Sequence, residues 1–244
     1  MMNLDGLPVP GGLRTYAQSA DREKDVLQQS ISVDPAWWSK RVPGAALTGD
    51  TAHPTLTRRD LFSLAEPARE TADGARDLLW ASLSWGTGTS QRNNARRIAA
   101  LTDNPTLAEG LQRAAELAGA DPVAAYETLR PAGNFVPYLG PPFFTKFLYF
   151  AAGDIAGRGS LIFDSRVAFS LRTCGWESLT GTYWWPTATY GRYLDLVGRW
   201  ASELTQADGT PLAPDQVELW LFRGSDVDVA GENAADDPEP DLNA

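Results

Sequence analysis

One stretch constrains this chain more than any other. Gly140 to Leu171, GPPFFTKFLYFAAGDIAGRGSLIFDSRVAFSL, sets a single lysine, Lys146, among aromatic and aliphatic residues, and Asp164 follows eighteen residues later. A run this apolar belongs inside a core, where lysine is seldom found. An apolar medium disfavours a charged amine, and a neutral amine is a nucleophile. Gly140 interrupts the chain, Pro141 and Pro142 suit a first helical turn, and FFTKFLYFAA predicts one helix running to Gly153. Phe143, Phe147 and Phe150 or Ala151 share a stripe, with Lys146 on its flank beside Phe143 and Phe150. GDIAGRGS reads as a loop and LIF as a short buried approach, and Asp164 stands where the N-cap of the helix SRVAFSLRT belongs. Helix amides and the helix dipole favour a carboxylate at such a place. The same residues also fit a structural arrangement in which Asp164 only caps and Lys146 only snorkels.

The remaining sequence predicts an all-α body. With 244 residues and 43% hydrophobic content the chain can bury a full core as one globular unit, expected as two helical lobes with a cleft between them that contains Lys146 and Asp164. Residues 1–58, rich in Pro and Gly and carrying Trp37-Trp38, read as an irregular extension packing on the body, and 59–224 as the helical domain. From Leu61 onward helical patterns dominate, Asp121-Pro122 forms a cap and first-turn pair, and no run shows strand alternation. No apolar run approaches membrane-spanning length, and MMNLDGLPVPGGL lacks a basic region followed by an apolar one. A cytoplasmic monomer without a membrane partner is expected. The single cysteine, Cys174, rules out an intrachain disulfide, and with His53 as the only histidine no usual zinc site can be assembled, so no metal or other cofactor is expected.

Charge bears on the partner. The chain nets -10, the wrong sign for phosphate binding, but the last twenty residues hold seven acidic residues and no basic one. Removing those seven leaves 24 acidic against 21 basic residues in 1–224. The segment 225–244 has the composition of a disordered acidic tail, either solubilising or competing with nucleic acid for the binding face. In the body, Arg92, Arg96 and Arg97 cluster in QRNNARRIAAL, and Arg158 lies in the loop between Lys146 and Asp164. These arginines are candidate phosphate contacts, or simply part of a solvated face.

FFTKFLYFA followed by LIFDSRVA resembles the helix-hairpin-helix DNA glycosylases, in particular bacterial proteins with an 8-oxoguanine DNA glycosylase fold. The resemblance implies that Lys146 attacks the sugar C1′ as a damaged base leaves, that Asp164 assists, and that the resulting Schiff base permits AP lyase chemistry. LLWASLSWGTGTSQRNNARRIAAL resembles the segment whose asparagine fills the gap left by the extruded base, a role falling on Asn93 or Asn94. RYLDLVGRWASEL and DQVELWLFRG resemble the closing helices, so the likeness covers about residues 60–224. Gly140 takes the place of the DNA-binding hairpin. The family usually carries G-x-G there, whereas Leu139-Gly140-Pro141-Pro142 offers one glycine and removes two amide donors. A single cysteine excludes the four-cysteine cluster of some relatives. Phe143 and Trp85, and with them Trp184 and Trp185, are candidate walls of the base pocket. The implied substrate is double- or single-stranded DNA bearing oxidised guanine or another modified base, in repair or antiphage defence.

Two other readings fit the residues. One is a catalytically inactive helical nucleic-acid or protein interaction module of a defence system. The other is a nucleoside or glycoside hydrolase pairing Asp164 with Asp154 or Glu177. If the tail competes with DNA, deleting residues 225–244 tightens DNA binding at low salt; unchanged affinity in a titration would count against competition.

Overall fold

The computed structural model describes residues 4–42, 54–131, 133, 135–180, 184–208 and 211–224; His53 and the acidic tail lie outside them. The architecture is all-α. A 3-10 turn (Leu4–Gly6), α1 (Gly11–Ala17), a π-helical turn (Glu23–Leu27), a short strand β1 (Ser30–Ser32) and α2 (Pro35–Ser39) lead to β2 (Thr55–Thr57). β1 and β2 pair antiparallel, Ile31 opposite Leu56. Three residues are too few for an alternation pattern to show, which is why the sequence gives no sign of them.

The helical run expected from Leu61 onward is broken into α3 (Arg58–Phe62), α4 (Ala65–Glu70) and α5 (Ala72–Thr87). Thr57 and Asp60 form a reciprocal capping box at the start of α3. Thr71, in extended conformation, ends α4 and caps α5 by accepting a hydrogen bond from the Gly74 amide at 2.9 Å. A Cβ on Gly74 would lie 2.1 Å from the Pro67 carbonyl oxygen, so the α4–α5 corner closes only around glycine. Then follow α6 (Asn94–Asp103), α7 (Thr106–Leu117), α8 (Pro122–Leu129), α9 (Pro141–Ala151), α10 (Ser165–Thr173), α11 (Thr187–Asp208) and α12 (Pro214–Arg223). Asp121 caps α8 by accepting from the Ala124 amide, as its sequence predicts.

α9 is the axis of one group of helices, with α4, α5, α7 and α8 packed around it; α12 packs against α10 and α11 in a second group, and α8 joins the two by its contact with α11. A helix apolar on all sides must be buried on all sides, and every α9 residue from Phe144 to Ala151 is buried. One continuous hydrophobic core runs through both groups. The N-terminal segment is tied on by polar contacts. Arg199 Nη2 donates to the carbonyls of Leu4 (3.0 Å) and Leu7 (2.7 Å), and Arg22 pairs with buried Asp215 at 2.7 Å and with Asp154 at 2.5 Å. Trp38 is fully buried beside Trp80. Among the described residues no helix is long and apolar enough to cross a membrane.

A second buried ion pair joins α3 to α12. Arg58 Nη1 lies 2.8 Å from Glu218 Oε2, and Arg58 Nε donates to Gln29 Oε1 at 2.7 Å. Burial pushes the Glu218 carboxyl above its ordinary value of 4.5, against the pull of Arg58. A carboxyl raised in the folded state contributes stability that is complete below pH 4.5 and is lost as pH rises through the raised value. Melting temperatures should therefore fall more for wild type than for Glu218→Gln as pH rises above 4.5; a difference that stays constant with pH would contradict this origin.

Candidate active site

Lys146 and Asp164 reach each other because two elements are fixed end to side. The start of α9 is set by Gly140, whose carbonyl accepts from the Phe143 and Phe144 amides, with Pro141 and Pro142 in the first turn. Gly140 itself has φ -80°, and a Cβ there would meet nothing closer than 3.7 Å. No steric demand for glycine exists at that position. Residues 130–140 separate α8 from α9, in place of a short hairpin.

The approach to Asp164, Ser160 to Phe163, is a segment without helix or strand that is nevertheless buried. Its backbone groups are satisfied from several sides. The Ser160 amide donates to the Ala118 carbonyl (2.9 Å) and the Leu161 amide to Tyr190 Oη (3.0 Å). Tyr190 Oη also donates to the Leu161 carbonyl (2.9 Å), and Tyr193 Oη to the Ile162 carbonyl (2.8 Å). The Phe163 amide donates to Thr145 Oγ1 (3.0 Å), one residue before Lys146. Asp164 then caps α10, its Oδ1 accepting from the amides of Arg166 (3.1 Å) and Val167 (3.2 Å).

The other carboxylate oxygen, Oδ2, lies 3.1 Å from Lys146 Nζ, which also donates to the Pro142 carbonyl at 2.8 Å. The lysine is 7% and the aspartate 6% exposed, so the pair is covered yet keeps a small solvent face. An amine in such a pair becomes a nucleophile only after passing on a proton, and the carboxylate beside it is placed to stabilise positive charge developing on a reacting carbon. Gly86 makes room for the lysine stem. A Cβ at Gly86 would stand 3.1 Å from Lys146 Cδ and 3.4 Å from Phe143 Cε1. A glycine inside the helical run LLWASLSWGT is the one sequence sign of that close approach.

The other expected site residues divide. Phe143 borders the amine, its ring centre 5.8 Å from Nζ and 4.1 Å from the Arg97 guanidinium. Trp85 is 5% exposed, edge-on to Phe150 at 5.4 Å, and acts as a wall of the core rather than of an open pocket. Asn94 and Arg97 are fully buried. Asn94 Nδ2 donates to Thr87 Oγ1 (2.9 Å), while Arg97 donates to Asn94 Oδ1 (3.0 Å) and to the Tyr138 carbonyl (2.7 Å). In this conformation neither side chain is presented to a DNA strand, because both are engaged in holding the α5–α6 turn against the segment before α9. Asn93 sits in that turn at φ 58° and is partly exposed, and Arg96 is exposed with its guanidinium 5.2 Å from the Tyr138 ring. Arg158 is exposed and lines a groove of about 790 Å³ with Pro122, Val123, Asp195 and Thr205. Neither Lys146 nor Asp164 lines that groove, so it is not the cleft expected to contain the pair. Trp185 is buried against Phe163, Trp184 faces Arg130, and Asp154 is taken up by Arg22. Among the described residues no group of three or more His, Cys, Asp or Glu side chains is placed to hold a metal ion.

Removing one partner from a buried ion pair leaves the other charge uncompensated. Lys146→Met should cost about 3 kcal/mol of unfolding free energy, and adding Asp164→Asn should return part of that loss. Additive losses in a denaturant double-mutant cycle would mean the two side chains do not interact.

No curated protein and no solved structure matches the chain. One family's sequence model does, that described as "Putative 8-oxoguanine DNA glycosylase OGG-like protein", over residues 24–222, so the likeness begins well upstream of residue 60. With most of its length inside that match, the chain belongs to this OGG-like family.

Proposed function

We propose that the protein is a DNA N-glycosylase of helix-hairpin-helix ancestry that excises an oxidised, 8-oxoguanine-like or otherwise modified base through a Schiff base on Lys146, with AP lyase activity, in DNA repair or antiphage defence. The observation that carries this reading is the 3.1 Å contact between the one lysine of α9 and the carboxylate capping α10, in a chain of the OGG-like family. In the proposed reaction the Lys146 amine, having given its extra proton to solvent, forms a bond to the sugar C1′ while the bond from C1′ to the base nitrogen breaks and its electrons leave with the base, which takes up the proton that the attacking nitrogen sheds. The Asp164 carboxylate stabilises the oxocarbenium character at C1′. Opening of the sugar ring gives an iminium, and loss of a C2′ proton expels the 3′ phosphate by β-elimination.

Membership of the family supports a DNA substrate. Asn93, Arg96 and Arg158 are exposed or partly exposed and are the proposed contacts to DNA, whereas Gly140, expected among them, is buried with its carbonyl engaged in the first turn of α9. Phe143, the aromatic nearest the amine, is the proposed face for the extruded base.

A second reading, an interaction module without catalysis, draws support from the coverage of the pair and from the net charge of -10. Borohydride trapping separates the two. End-labelled duplexes carrying 8-oxoguanine, an abasic site or a panel of modified bases should give a covalent adduct with wild type, none with Lys146→Gln, and a strongly reduced one with Asp164→Asn. No adduct and no released base from any duplex, with DNA binding indifferent to Lys146→Gln, would favour the module.

A further inference from the structure

The helix that Asp164 opens carries a surface that the proposed chemistry does not use. Phe169, in the middle of α10, is 54% exposed; among the described residues the only other exposed large hydrophobic is Val123, at 37%. Arg166 and Arg172 stand three residues before and after it, and all three side chains are exposed. At that spacing they share one face of the helix. The Arg166 guanidinium is held over the Phe222 ring of α12 at 4.6 Å, which extends the aromatic surface toward the end of that helix. After Asp164, itself buried and paired, α10 contains no acidic residue.

We propose that this Arg166–Phe169–Arg172 face of α10 is a contact for unpaired nucleotides of the DNA strand next to the extruded base, with Phe169 stacking on a base and the arginines on flanking phosphates. The proposal rests on the glycosylase reading and adds to it where the strand runs. Arginine alone would suffice for phosphate; an exposed aromatic ring between two arginines also offers a face for an unstacked base. The position fits, because α10 begins at the carboxylate that touches the nucleophile, so a strand with its sugar at Lys146 has α10 next to it. A protein partner is the poorer fit, since one phenylalanine between two charges lacks the desolvated apolar centre of a stable interface.

Phe169 is exposed, so its replacement leaves the core intact. The probe is a duplex with a tetrahydrofuran abasic analogue, 2-aminopurine beside it, titrated at several salt concentrations in the Lys146→Gln background, where no chemistry intervenes. Phe169→Ala should weaken binding about tenfold and abolish the change in 2-aminopurine fluorescence, leaving the salt slope alone, and Phe169→Trp should restore both. Arg172→Ala should instead lower the salt slope by about one. Unchanged affinity and fluorescence in Phe169→Ala would overturn the proposal while leaving the glycosylase reading intact, provided wild type still gives the borohydride adduct. A change in sedimentation of Phe169→Ala in place of a change in DNA binding would assign the face to a second protein copy. Absence of both adduct and DNA binding in wild type would overturn both.

Discussion

The site depends on burying a piece of backbone that belongs to neither helix nor sheet. Ser160 to Phe163 passes through the core without a neighbouring strand, and each buried amide or carbonyl left unpaired there would cost as much as a lost hydrogen bond. Two tyrosines of α11 and one threonine of α9 supply the partners a sheet would have given. The tyrosine hydroxyls therefore act as structural groups, and burial drives the Tyr190 and Tyr193 pKa values up, consistent with hydroxyls that remain protonated. Because Thr145 holds Phe163, the residue before Lys146 is bonded to the residue before Asp164. The Lys146–Asp164 pair is thus registered by its neighbours as well as by its own attraction.

That registration bears on the proposed chemistry. An isolated buried ion pair gains little over an apolar substitute, and a pair retained in a core is explained more easily by what it does than by the stability it adds. Here the carboxylate is held by two backbone amides through one oxygen and by the amine through the other, so it is oriented before any substrate arrives. Oriented charge that needs no rearrangement is what stabilises a developing cation most effectively. The Arg58–Glu218 and Arg22–Asp215 pairs serve a different purpose: they fasten α3 and the N-terminal segment to α12.

Much of this is legible in the sequence. The glycine–proline start of α9, the cap at Asp164, the Asp121-Pro122 cap of α8 and the buried character of LIF all follow from local rules, because caps, first turns and apolar runs are short-range properties. The break at Thr71 was not legible, since it depends on Gly74 meeting the Pro67 carbonyl across a corner. Nor was the inward turn of Asn94 and Arg97. In sequence Asn94 reads as a candidate for filling the gap left by an extruded base, and Arg97 as a phosphate contact or part of a solvated face; the Tyr138 carbonyl and Thr87 that engage them come from other parts of the chain.

The sequence by itself determined an all-helical chain with one lysine in its most apolar helix and a carboxylate capping another, because helix periodicity, caps and hydrophobicity are written in neighbouring residues. Only the tertiary structure decided that the two groups touch, that Gly86 leaves room for the lysine stem, and that Phe169 faces outward while Trp85 faces in. Those outcomes depend on which helix faces meet, and that is fixed by packing among residues tens of positions apart, a cooperative property that no local pattern carries.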